Sequence, residues 1–485
     1  MPRKIYSFKN GLGPFLNFDK PKECCGLFGI YDNYEAPWLT YLGLYSLQHR
    51  GEEACGIAVS DGRRLSILKG TGLVSEVFNE ENIKKLSGFL SIGHLRYSTT
   101  GSSVLKNAQP LVVDYLRGSL AIGHNGNLIN SIELRRKLEN SGSTFQTTTD
   151  SEIVVQLMAR SRHPDVIKRL IYALNKVKGA YSLLLMTKDK VIGARDPMGF
   201  RPLVLGRINK SFCLASETCA LDLIGAKLVR EIEPGEIVVI DKKGVKSFRF
   251  SPKQKKHAFC IFEHVYFSRP DSVVFGQTVY SVRKKLGAEL AKEHYVDADL
   301  VIPVPDSGTS AAIGFSQASN IPMEMGIIRN HYIGRTFIQP SQHIRDLGVR
   351  VKFNLLRDII KGKRVIIVDD SIVRGTTSRK RVKAFRALGA KEVHLRISCP
   401  PHKFPCHYGI DFHDQKELIA VRLSHERIKK YLNVESLGYL SLEGMLKSVN
   451  SSSCDYCTAC WTGNYPLKWK GKIGKSSLEK KCCGV

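Results

Sequence analysis

One stretch of the chain has the residue types of a phosphate site. Segment 368–378 reads VDDSIVRGTTS, so an apolar strand ends in Asp369 and Asp370, and a Gly-Thr-Thr turn then opens a predicted helix. The unpaired amides and the dipole of such a helix terminus favour a phosphate group. Adjacent carboxylates suit ribose hydroxyls or Mg²⁺, whereas helix capping would explain only one of them. The pattern predicts a loop that binds phosphate and ribose.

A second set of residues suggests nucleophilic chemistry at a cysteine. Cys25 begins the run CGLFGI, and four polar segments follow in order: LQHRG (47–51), HLRYST (94–99), GHNGNL (123–128) and TDSE (149–152). A single cysteine at the start of a strand is most often an ordinary buried thiol. The arginine, asparagine, glycine and aspartate that accompany this one favour a catalytic nucleophile.

The C-terminal part holds a tight group of cysteines, Cys454, Cys457 and Cys460, separated by two residues each. Zinc sites and iron–sulfur sites both use this spacing, so the spacing alone leaves both open. The chain has 13 cysteines and begins without an apolar signal segment. This combination predicts reduced thiols or metal ligands in a cytoplasmic protein, rather than a disulfide framework.

Length and composition limit the remaining possibilities. At 485 residues the chain exceeds the roughly 250–300 residues at which one hydrophobic core stops growing, so we expect two or three domains. No run of about 18 apolar residues predicts a membrane span. The formal net charge of +28 suits an anionic substrate as well as nucleic acid. Because no zinc-finger or RNA-binding motif accompanies the spread of basic residues, we predict no nucleic-acid partner.

The first half of the chain has the pattern of a largely β structure. Short apolar runs alternate with turn signals from Cys25 to about residue 240, with helices predicted at 36–48 and 151–159. The lysine-rich segment 241–257 has few aliphatic residues. We predict a linker or an edge hairpin there.

In the second half of the chain, predicted strands alternate with predicted helices. Predicted strands at 299–304, 364–368 and 393–398 are separated by helices at 309–319 and 378–388. Strand, loop, helix and strand in this order indicate a parallel doubly wound sheet. Ligands of such sheets bind where loops leave the carboxyl ends of the strands, which is where the two acidic loops of this half fall.

The segment around Asp369 resembles the signature with which type I phosphoribosyltransferases bind phosphoribosyl diphosphate (PRPP). Segment 305–308 (PDSG) resembles their diphosphate loop, and the basic segment 329–354 is a candidate lid over a polyanion. The resemblance implies Mg²⁺ near Ser307, Asp369 and Asp370. It also implies a set of residues that bind PRPP: Asp306, Ser307, Arg335, Lys352, Asp369, Asp370, Ser371, Arg374, Gly375, Thr376, Thr377 and Ser378.

The segments that follow Cys25 resemble those of the class II glutamine amidotransferases, whose nucleophile is the first residue of the mature chain. The resemblance implies that residues 1–24 are a propeptide and that the freed α-amino group of Cys25, with a pKa of about 8, becomes the general base. It implies an oxyanion hole formed by Asn125 and the Gly126 amide. The implied glutamine-binding residues are Arg50, Arg96 for the α-carboxylate, and Asp150 for the ammonium group.

From Cys25 to Pro466 the chain resembles the glutamine-dependent amidotransferases that act on PRPP. The resemblance implies an α+β N-terminal-nucleophile glutaminase domain at 25–257, an α/β type I phosphoribosyltransferase domain with a parallel sheet at 258–466, and a basic tail at 467–485. The expected reaction makes 5-phosphoribosylamine from glutamine and PRPP, the first committed step of purine biosynthesis. Purine nucleotide inhibitors and a homotetramer are also implied.

One branch of this family carries a [4Fe–4S] cluster. The resemblance implies that its ligands here are Cys260, Cys406, Cys457 and Cys460, with Cys454 either spare or an alternative ligand. Ligands so far apart in sequence would join the domain junction, the transferase domain and the C-terminal segment. We expect the cluster to be structural, because the reaction needs no redox step.

Two other classes of function were weighed against this interpretation. A PRPP-sensing regulatory protein would suit the positive charge, but it would need no glutaminase residues and would carry a DNA-binding module. An amidotransferase with another acceptor would have an acceptor domain of unrelated fold, without the loop at 368–378.

Overall fold

The computed structural model describes residues 25–97, 104–329, 353–412, 414–449, 455–468 and 478. The first half of the chain is built on two antiparallel sheets. The strands of the first sheet are β1 Gly26–Tyr31, β2 Ala54–Ser60, β3 Leu65–Thr71, β4 Leu90–Arg96, β9 Val204–Ile208, β10 Ser211–Ala215 and β11 Lys227–Glu231, in the spatial order β11-β9-β10-β1-β4-β2-β3.

The second sheet has six strands in the order β13-β12-β8-β7-β6-β5. Its members are β5 Leu111–Tyr115, β6 Gly118–Leu128, β7 Gly179–Met186, β8 Val191–Arg195, β12 Glu236–Asp241 and β13 Gly244–Arg249. The helices of this half are α1 Ala36–Ser46, α2 Val74–Val77, α3 Glu80–Lys84, α4 Ser131–Asn140, α5 Ser151–Arg160, α6 Val166–Leu174 and α7 Cys219–Leu223.

The two sheets face each other and are covered by helices on their outer faces. One apolar cluster joins the inner faces of both sheets, including Leu27 and Ile92 from the first and Leu184 and Val238 from the second. Separate clusters lie between the first sheet and α1, and between the second sheet and α5 and α6. Strands β1, β4 and β7 are therefore buried along their whole length on both faces.

The second half contains a four-stranded parallel sheet in the order β17-β20-β21-β22. Its strands are β17 Leu300–Pro303, β20 Arg364–Asp369, β21 Glu392–Ile397 and β22 Ser436–Tyr439. The described helices of this half are α8 Val279–Glu293, α9 Thr309–Ser319, Arg357–Ile360, Thr376–Ala387, Ile419–Arg422, His425–Leu432, Leu442–Lys447 and Ala459–Thr462.

Three two-stranded pairs complete this half: β14 Phe259–Cys260 with β23 Tyr456–Cys457, β15 Val273–Val274 with β16 Gln277–Thr278, and β18 Ile327–Arg329 with β19 Phe353–Leu355. The β14–β23 pair ties the C-terminal segment to the start of this half. A short π-helical turn, Glu263–Phe267, follows β14. Among the described helices, none is both long enough and apolar enough to cross a bilayer.

The sequence predicted this architecture correctly in outline. The layered first half and the parallel sheet of the second are confirmed, and α9 has the predicted bounds. The helix predicted at 378–388 begins two residues earlier, at Thr376, because Gly375 adopts a left-handed conformation and ends the preceding loop. Strand β13 confirms an edge hairpin within 241–257. The exact domain limits stay a prediction.

Candidate active sites

Cys25 lies directly before β1, next to the end of its neighbour β4. Its side chain is 6% exposed, and Sγ donates a hydrogen bond to the carbonyl oxygen of Tyr97 at 3.5 Å. Burial raises the pKa of the Cys25 thiol to about 11, although nearby Arg96 acts in the opposite direction. The buried thiol is thus neutral near pH 7, and a base close to Sγ is required before it can attack.

A small cavity of about 10 Å³ opens beside this thiol. It gathers residues that lie up to 125 positions apart in the chain. Its lining consists of Cys25, Arg96, Tyr97, Gln109, His124, Gly126, Thr149 and Asp150. The structure therefore brings four of the sequence-predicted residues, the cysteine, the arginine at 96, the glycine and the aspartate, to one cavity.

The two charged residues predicted to hold glutamine are supplied by a strand end and a helix start. Arg96 is the last residue of β4 and is 2% exposed. Asp150 precedes the first residue of α5, and its Oδ2 accepts a hydrogen bond from the Leu128 amide at 2.8 Å. Burial would raise the pKa of Asp150, but the His124 ring and this amide hold it below its usual value. The cavity thus offers one fixed cation and one ionised carboxylate.

Asn125 and Gly126 are consecutive residues of β6, and Gly126 lines the cavity whereas Asn125 is not among its lining residues. The Asn125 side chain is fully buried, and neither atom of its amide has a hydrogen-bond partner among the described residues. Buried amides are rarely left unpaired, so this one is available to a ligand. Gly126 has φ +144°, and a Cβ there would lie 2.0 Å from the Ala180 carbonyl oxygen. Only glycine fits at that position.

Arg50 is placed differently from the other predicted glutamine-binding residues. It is fully buried and does not line the cavity. Its Nε donates to the Cys25 carbonyl oxygen at 3.3 Å, and its guanidinium contacts Glu217 and Glu263. The Arg50 side chain thus anchors the backbone of the nucleophile in this structure, and its contact with glutamine stays a prediction.

Sequence reasoning did not assign a role to His124 or Gln109, which also line the cavity. The His124 ring lies 3.4 Å from Asp150 Oδ1 through Nδ1, and its backbone amide donates to Gln109 Oε1 at 2.9 Å. His124 stands beside Asn125 in the GHNGNL segment, so the motif itself could have pointed to it. Gln109 is far from any motif and precedes a cis peptide bond to Pro110.

The two loops predicted to bind PRPP leave neighbouring parallel strands. Strand β17 pairs with β20 so that Pro303 lies opposite Val368, and the two loops begin at the same edge of the sheet. Gly308 allows their close approach, because a Cβ on it would lie 2.5 Å from the Val368 carbonyl oxygen. The predicted juxtaposition of the two loops is therefore present.

The acidic pair at the end of β20 is buried and already hydrogen-bonded. Asp369 Oδ2 accepts from Arg381 Nη1 at 2.7 Å, and its Oδ1 accepts from the Asp370 amide at 3.0 Å. Asp370 Oδ1 accepts from the Ser371 hydroxyl at 2.6 Å. Arg381, on helix Thr376–Ala387, was not among the predicted site residues. Nothing in the sequence pattern distinguishes it from the other basic residues of that helix.

The remaining PRPP residues surround this pair or lie outside the described residues. Asp306 is exposed and forms an ion pair with Arg329, and Arg374 forms one with Glu417. Gly375 has φ +80° and stands directly before helix Thr376–Ala387. Ser307 lies in the first loop, and Thr376, Thr377 and Ser378 form the first turn of helix Thr376–Ala387, directly after the second loop. Arg335 and Lys352 fall outside the described residues.

Four cysteines from three distant segments line one cavity of about 20 Å³. Cys260 and Cys457 are register partners in the parallel β14–β23 pair, and Cys406 and Cys460 complete the set. Aromatic and apolar residues close the rest of the cavity: Phe200, Phe262, Tyr408, Ile410, Ala459 and Tyr465. Burial raises the pKa of all four thiols, that of Cys260 to about 11.

Thiolate side chains ligate both zinc and iron–sulfur clusters, so the four cysteines have the chemistry of either ligand set. Among the described residues, no group of three or more His, Cys, Asp or Glu side chains is close enough to surround one metal ion. All four thiols nevertheless face one cavity, and the Tyr408 amide donates to Cys406 Sγ at 3.3 Å. Amide hydrogen bonds to sulfur are common around iron–sulfur clusters. Cys454 lies outside the described residues.

The fold and the two sites define a glutamine amidotransferase joined to a phosphoribosyltransferase. Residues 94–223 match the model of the glutamine amidotransferase domain. Amidophosphoribosyltransferase 1, chloroplastic, of Arabidopsis thaliana is 51% identical over 456 residues, covering 93% of this chain and 80% of that protein. The amidophosphoribosyltransferase of Methanocaldococcus jannaschii is 48% identical, covering 92% of this chain and 98% of its own.

Solved structures agree with these relatives. Glutamine PRPP amidotransferase from B. subtilis, complexed with ADP and GMP, matches with a TM-score of 0.88 and 47% identity, covering 93% of this chain and 99% of that one. A structure described as the allosteric regulatory enzyme of purine biosynthesis matches with a TM-score of 0.89, 48% identity, and coverage of 93% and 98%. The chain belongs to the amidophosphoribosyltransferase family. It is a transferase that catalyses the glutamine-dependent first step of purine biosynthesis.

Proposed function

We propose that this reaction is divided between the Cys25 cavity, where glutamine is hydrolysed, and the loops of the parallel sheet, where ammonia reacts with PRPP. The observation that carries the first assignment is the cavity itself. It combines a buried thiol, a cation at Arg96 and a carboxylate at Asp150, next to the unpartnered amide of Asn125. A substrate with an α-carboxylate, an α-ammonium group and a side-chain amide matches this arrangement.

The attack on glutamine follows from these positions. The Cys25 sulfur adds to the carboxamide carbon of glutamine, and the resulting oxyanion faces the Asn125 amide and the Gly126 N–H. When the C–N bond breaks, the leaving nitrogen takes a proton and departs as ammonia, so a thioester remains on Cys25. Water then hydrolyses the thioester to glutamate. Each oxyanion donor supplies about 3–4 kcal/mol of transition-state stabilisation.

The base for this attack is the α-amino group of Cys25 itself, which requires removal of residues 1–24. A thiol whose pKa is raised to about 11 by burial is almost fully protonated at pH 7. An α-amino group titrates near pH 8 and lies within reach of its own side chain. Intact mass of active protein should begin at Cys25. Active protein that begins at Met1 or Cys24 would contradict the proposal.

Ammonia passes between the two sites without entering bulk water, where it would be protonated and lost as a nucleophile. Two contacts support this arrangement. The Tyr97 hydroxyl, next to the Cys25 cavity, donates to Asp411 Oδ2 at 3.0 Å, and Asn127 Nδ2 donates to the His407 carbonyl oxygen at 2.9 Å. The glutaminase cavity is thus in contact with the transferase half of the chain.

At the second site, the Asp370 carboxylate and the Ser371 hydroxyl are candidates for the ribose hydroxyls of PRPP. The amides at the start of helix Thr376–Ala387 suit its 5-phosphate. The carboxylates are hard oxygen ligands that fit Mg²⁺, with Ser307, Asp369 and Asp370 as its candidate contacts. Bound Mg²⁺ would neutralise charge on the diphosphate. Ammonia attacks C1 of the ribose, the C1–O bond breaks and diphosphate leaves, which gives 5-phosphoribosylamine.

For the four-cysteine cavity we propose a [4Fe–4S] cluster held by Cys260, Cys406, Cys457 and Cys460. Four thiols from three distant segments line this cavity, and the family resemblance implies the same four residues as cluster ligands. The residues themselves hold β14, the loop around Cys406 and the C-terminal segment together. Metal analysis of active protein should find iron and no stoichiometric zinc. One zinc per chain would contradict the proposal and leave the transferase assignment intact.

Regulation and assembly are proposed from the relatives. The structure from B. subtilis contains ADP and GMP, which supports purine nucleotides as feedback inhibitors of this chain. A homotetramer and a cytoplasmic location stay predictions from family resemblance. Titration of activity with purine nucleotides, together with sedimentation at several protein concentrations, tests the first two.

One assay tests the proposed division of the reaction as a whole. Purified protein, prepared without oxygen, should release diphosphate only when PRPP is supplied together with glutamine or concentrated ammonia. Glutamate should form only from glutamine. Release of diphosphate that needs neither nitrogen source would contradict the proposed nucleophile.

A further inference from the structure

The loop that carries Cys406 touches the strand that carries the oxyanion-hole residues. This segment, residues 406–410 (CHYGI), is called here the 406–410 loop. It belongs to the transferase half, yet its His407 carbonyl oxygen accepts a hydrogen bond from Asn127 Nδ2 at 2.9 Å. Asn127 is fully buried and follows Gly126 directly on β6.

Gly409 makes the closest approach. It has φ +109°, and a Cβ built on it would lie 3.2 Å from the carbonyl carbon of Gly126 and 3.3 Å from its Cα. The same Cβ would lie 3.2 Å from Arg201 Nη2. A methyl group on Gly409 would therefore press against the Gly126 backbone, which would have to move by a few tenths of an ångström, and it would also be strained by the positive φ.

The other end of the loop is fixed just as firmly. The Tyr408 amide donates to Cys406 Sγ at 3.3 Å, the Tyr408 carbonyl oxygen accepts from Arg201 Nη2 at 2.9 Å, and the Tyr408 ring stacks on Phe200 with centroids 4.3 Å apart. Arg201 is itself fully buried and paired with Glu263 at 3.1 Å. Each of these contacts restricts the position of the backbone that reaches Gly126.

We propose that the 406–410 loop is a positioning element for the oxyanion hole, and that Gly409 is its contact residue. Gly126 pairs with Tyr181 of β7, and Gly409 of the loop also lies close to its backbone. The glutaminase site is thus completed by the transferase half of the chain. The proposal rests on the assignment of Asn125 and Gly126 as oxyanion donors.

Such an element should affect the transition state and spare substrate binding. Arg96 ends β4 and Asp150 precedes α5, so the residues assigned to glutamine binding lie on other elements than the strand β6 that the loop contacts, whereas the oxyanion exists only after attack on the amide carbon. Displacing a donor by a fraction of an ångström therefore lowers kcat for hydrolysis and leaves KM nearly unchanged.

The experiment compares Gly409→Ala with a matched control, Gly463→Ala. Gly463 also lies in the cysteine-rich part, has φ +76°, and would place its Cβ against the Phe404 ring, away from β6. We expect Gly409→Ala to lower kcat for glutamine hydrolysis about ten- to a hundredfold, with KM for glutamine within about twofold. Gly463→Ala should leave both within about twofold. Ammonia-dependent diphosphate release should be unchanged in both variants.

Two further variants test the loop contact by a second route and test the oxyanion assignment itself. Asn127→Asp keeps the size of the side chain but replaces the donor to His407, so it should reproduce the loss in kcat even if Gly409→Ala does not fold. Unchanged kcat in both Gly409→Ala and Asn127→Asp would overturn the inference, as would equal losses in Gly409→Ala and Gly463→Ala. Asn125→Ala distinguishes failure of this inference from failure of the oxyanion assignment on which it rests. If Asn125→Ala hydrolyses glutamine normally, the oxyanion assignment itself is wrong.

Discussion

The two halves of this chain prepare their sites in different ways. The glutaminase cavity is built from the ends of central strands and the start of a helix: Cys25 precedes β1, Arg96 ends β4, Gly126 lies on β6 and Asp150 precedes α5. The PRPP loops lie at the open end of a parallel sheet, and several of their polar groups contact other residues of the chain. Asp369 contacts Arg381, Asp306 contacts Arg329, and Arg374 contacts Glu417.

This difference reflects what each site must bind. Glutamine is small and nearly neutral overall, so one cation and one carboxylate beside the nucleophile can recognise its charged groups. PRPP is a polyanion, and several charged groups of the loops assigned to it form ion pairs within the chain, of which the Asp369–Arg381 pair is largely buried. We infer that the first site is preorganised, whereas binding at the second exchanges ion pairs within the chain for ion pairs with the substrate.

The largest expected effect separates the two sites completely. Cys25→Ala removes the nucleophile, so glutamine-dependent diphosphate release should fall by at least about a thousandfold. Release with concentrated ammonia should continue at the rate of the unchanged protein, because the PRPP loops are untouched. The measurement is diphosphate release with each nitrogen source. If the folded variant also lost the ammonia-dependent reaction, the two sites would not be separable.

The complementary change removes the carboxylates of the PRPP site and should stop diphosphate release. Replacing Asp369 and Asp370 together by asparagine keeps their size and removes two negative charges from the ribose and metal contacts. Diphosphate release should fall about a hundredfold or more with either nitrogen source, as expected when electrostatic groups are lost from a reacting centre. Glutamate formation from glutamine should remain measurable. Glu392→Gln, a change on β21 away from these loops, is the control and should leave both rates unchanged.

The sequence was sufficient for the backbone of both sites, because local signals determine it. The apolar run of β20, the glycine at 375 and the threonines after it define a strand, a turn and a helix start without reference to other residues. Asn125 and Gly126 were likewise predicted from one short segment. Such groups need only the residues next to them in the chain.

Contacts between distant residues were less predictable. Arg381 pairs with Asp369 across one turn of helix and a loop, and the sequence offers several equally basic neighbours. The approach of Gly409 to Gly126 joins residues 283 positions apart and depends on how the two halves pack. Arg50 was predicted to contact glutamine from its motif, but its buried partners Glu217 and Glu263 come from later segments.

A third prediction tests whether the cysteine cavity belongs to one half or joins them. Cys457→Ser should lose bound iron and its visible absorbance. The change removes one of four converging ligands, and the three remaining thiolates are too few to hold the cluster. Since a cluster would then no longer join β14, the loop around Cys406 and the C-terminal segment, we expect a lower unfolding temperature and roughly tenfold lower activity with both nitrogen sources. Cys454→Ser is the matched control and should keep iron and activity. Equal iron content in the two variants would contradict the ligand assignment.

The smallest expected effect concerns the ion pair between Arg381 and Asp369. Arg381 neutralises one of the two carboxylates that are assigned to ribose and Mg²⁺, and the pair is almost fully buried. In Arg381→Leu the two aspartates carry one more uncompensated negative charge, so the Mg²⁺ concentration for half-maximal activity should fall on the order of threefold. For the same reason KM for PRPP at low Mg²⁺ should rise by a similar factor. Arg381→Lys retains the charge and should behave as the unchanged protein in both titrations. A Mg²⁺ requirement identical in all three proteins would show that Arg381 holds the helix in place and does not affect metal binding. The inference that PRPP binding exchanges ion pairs within the chain for ion pairs with the substrate would then rest on Asp306 and Arg374 alone.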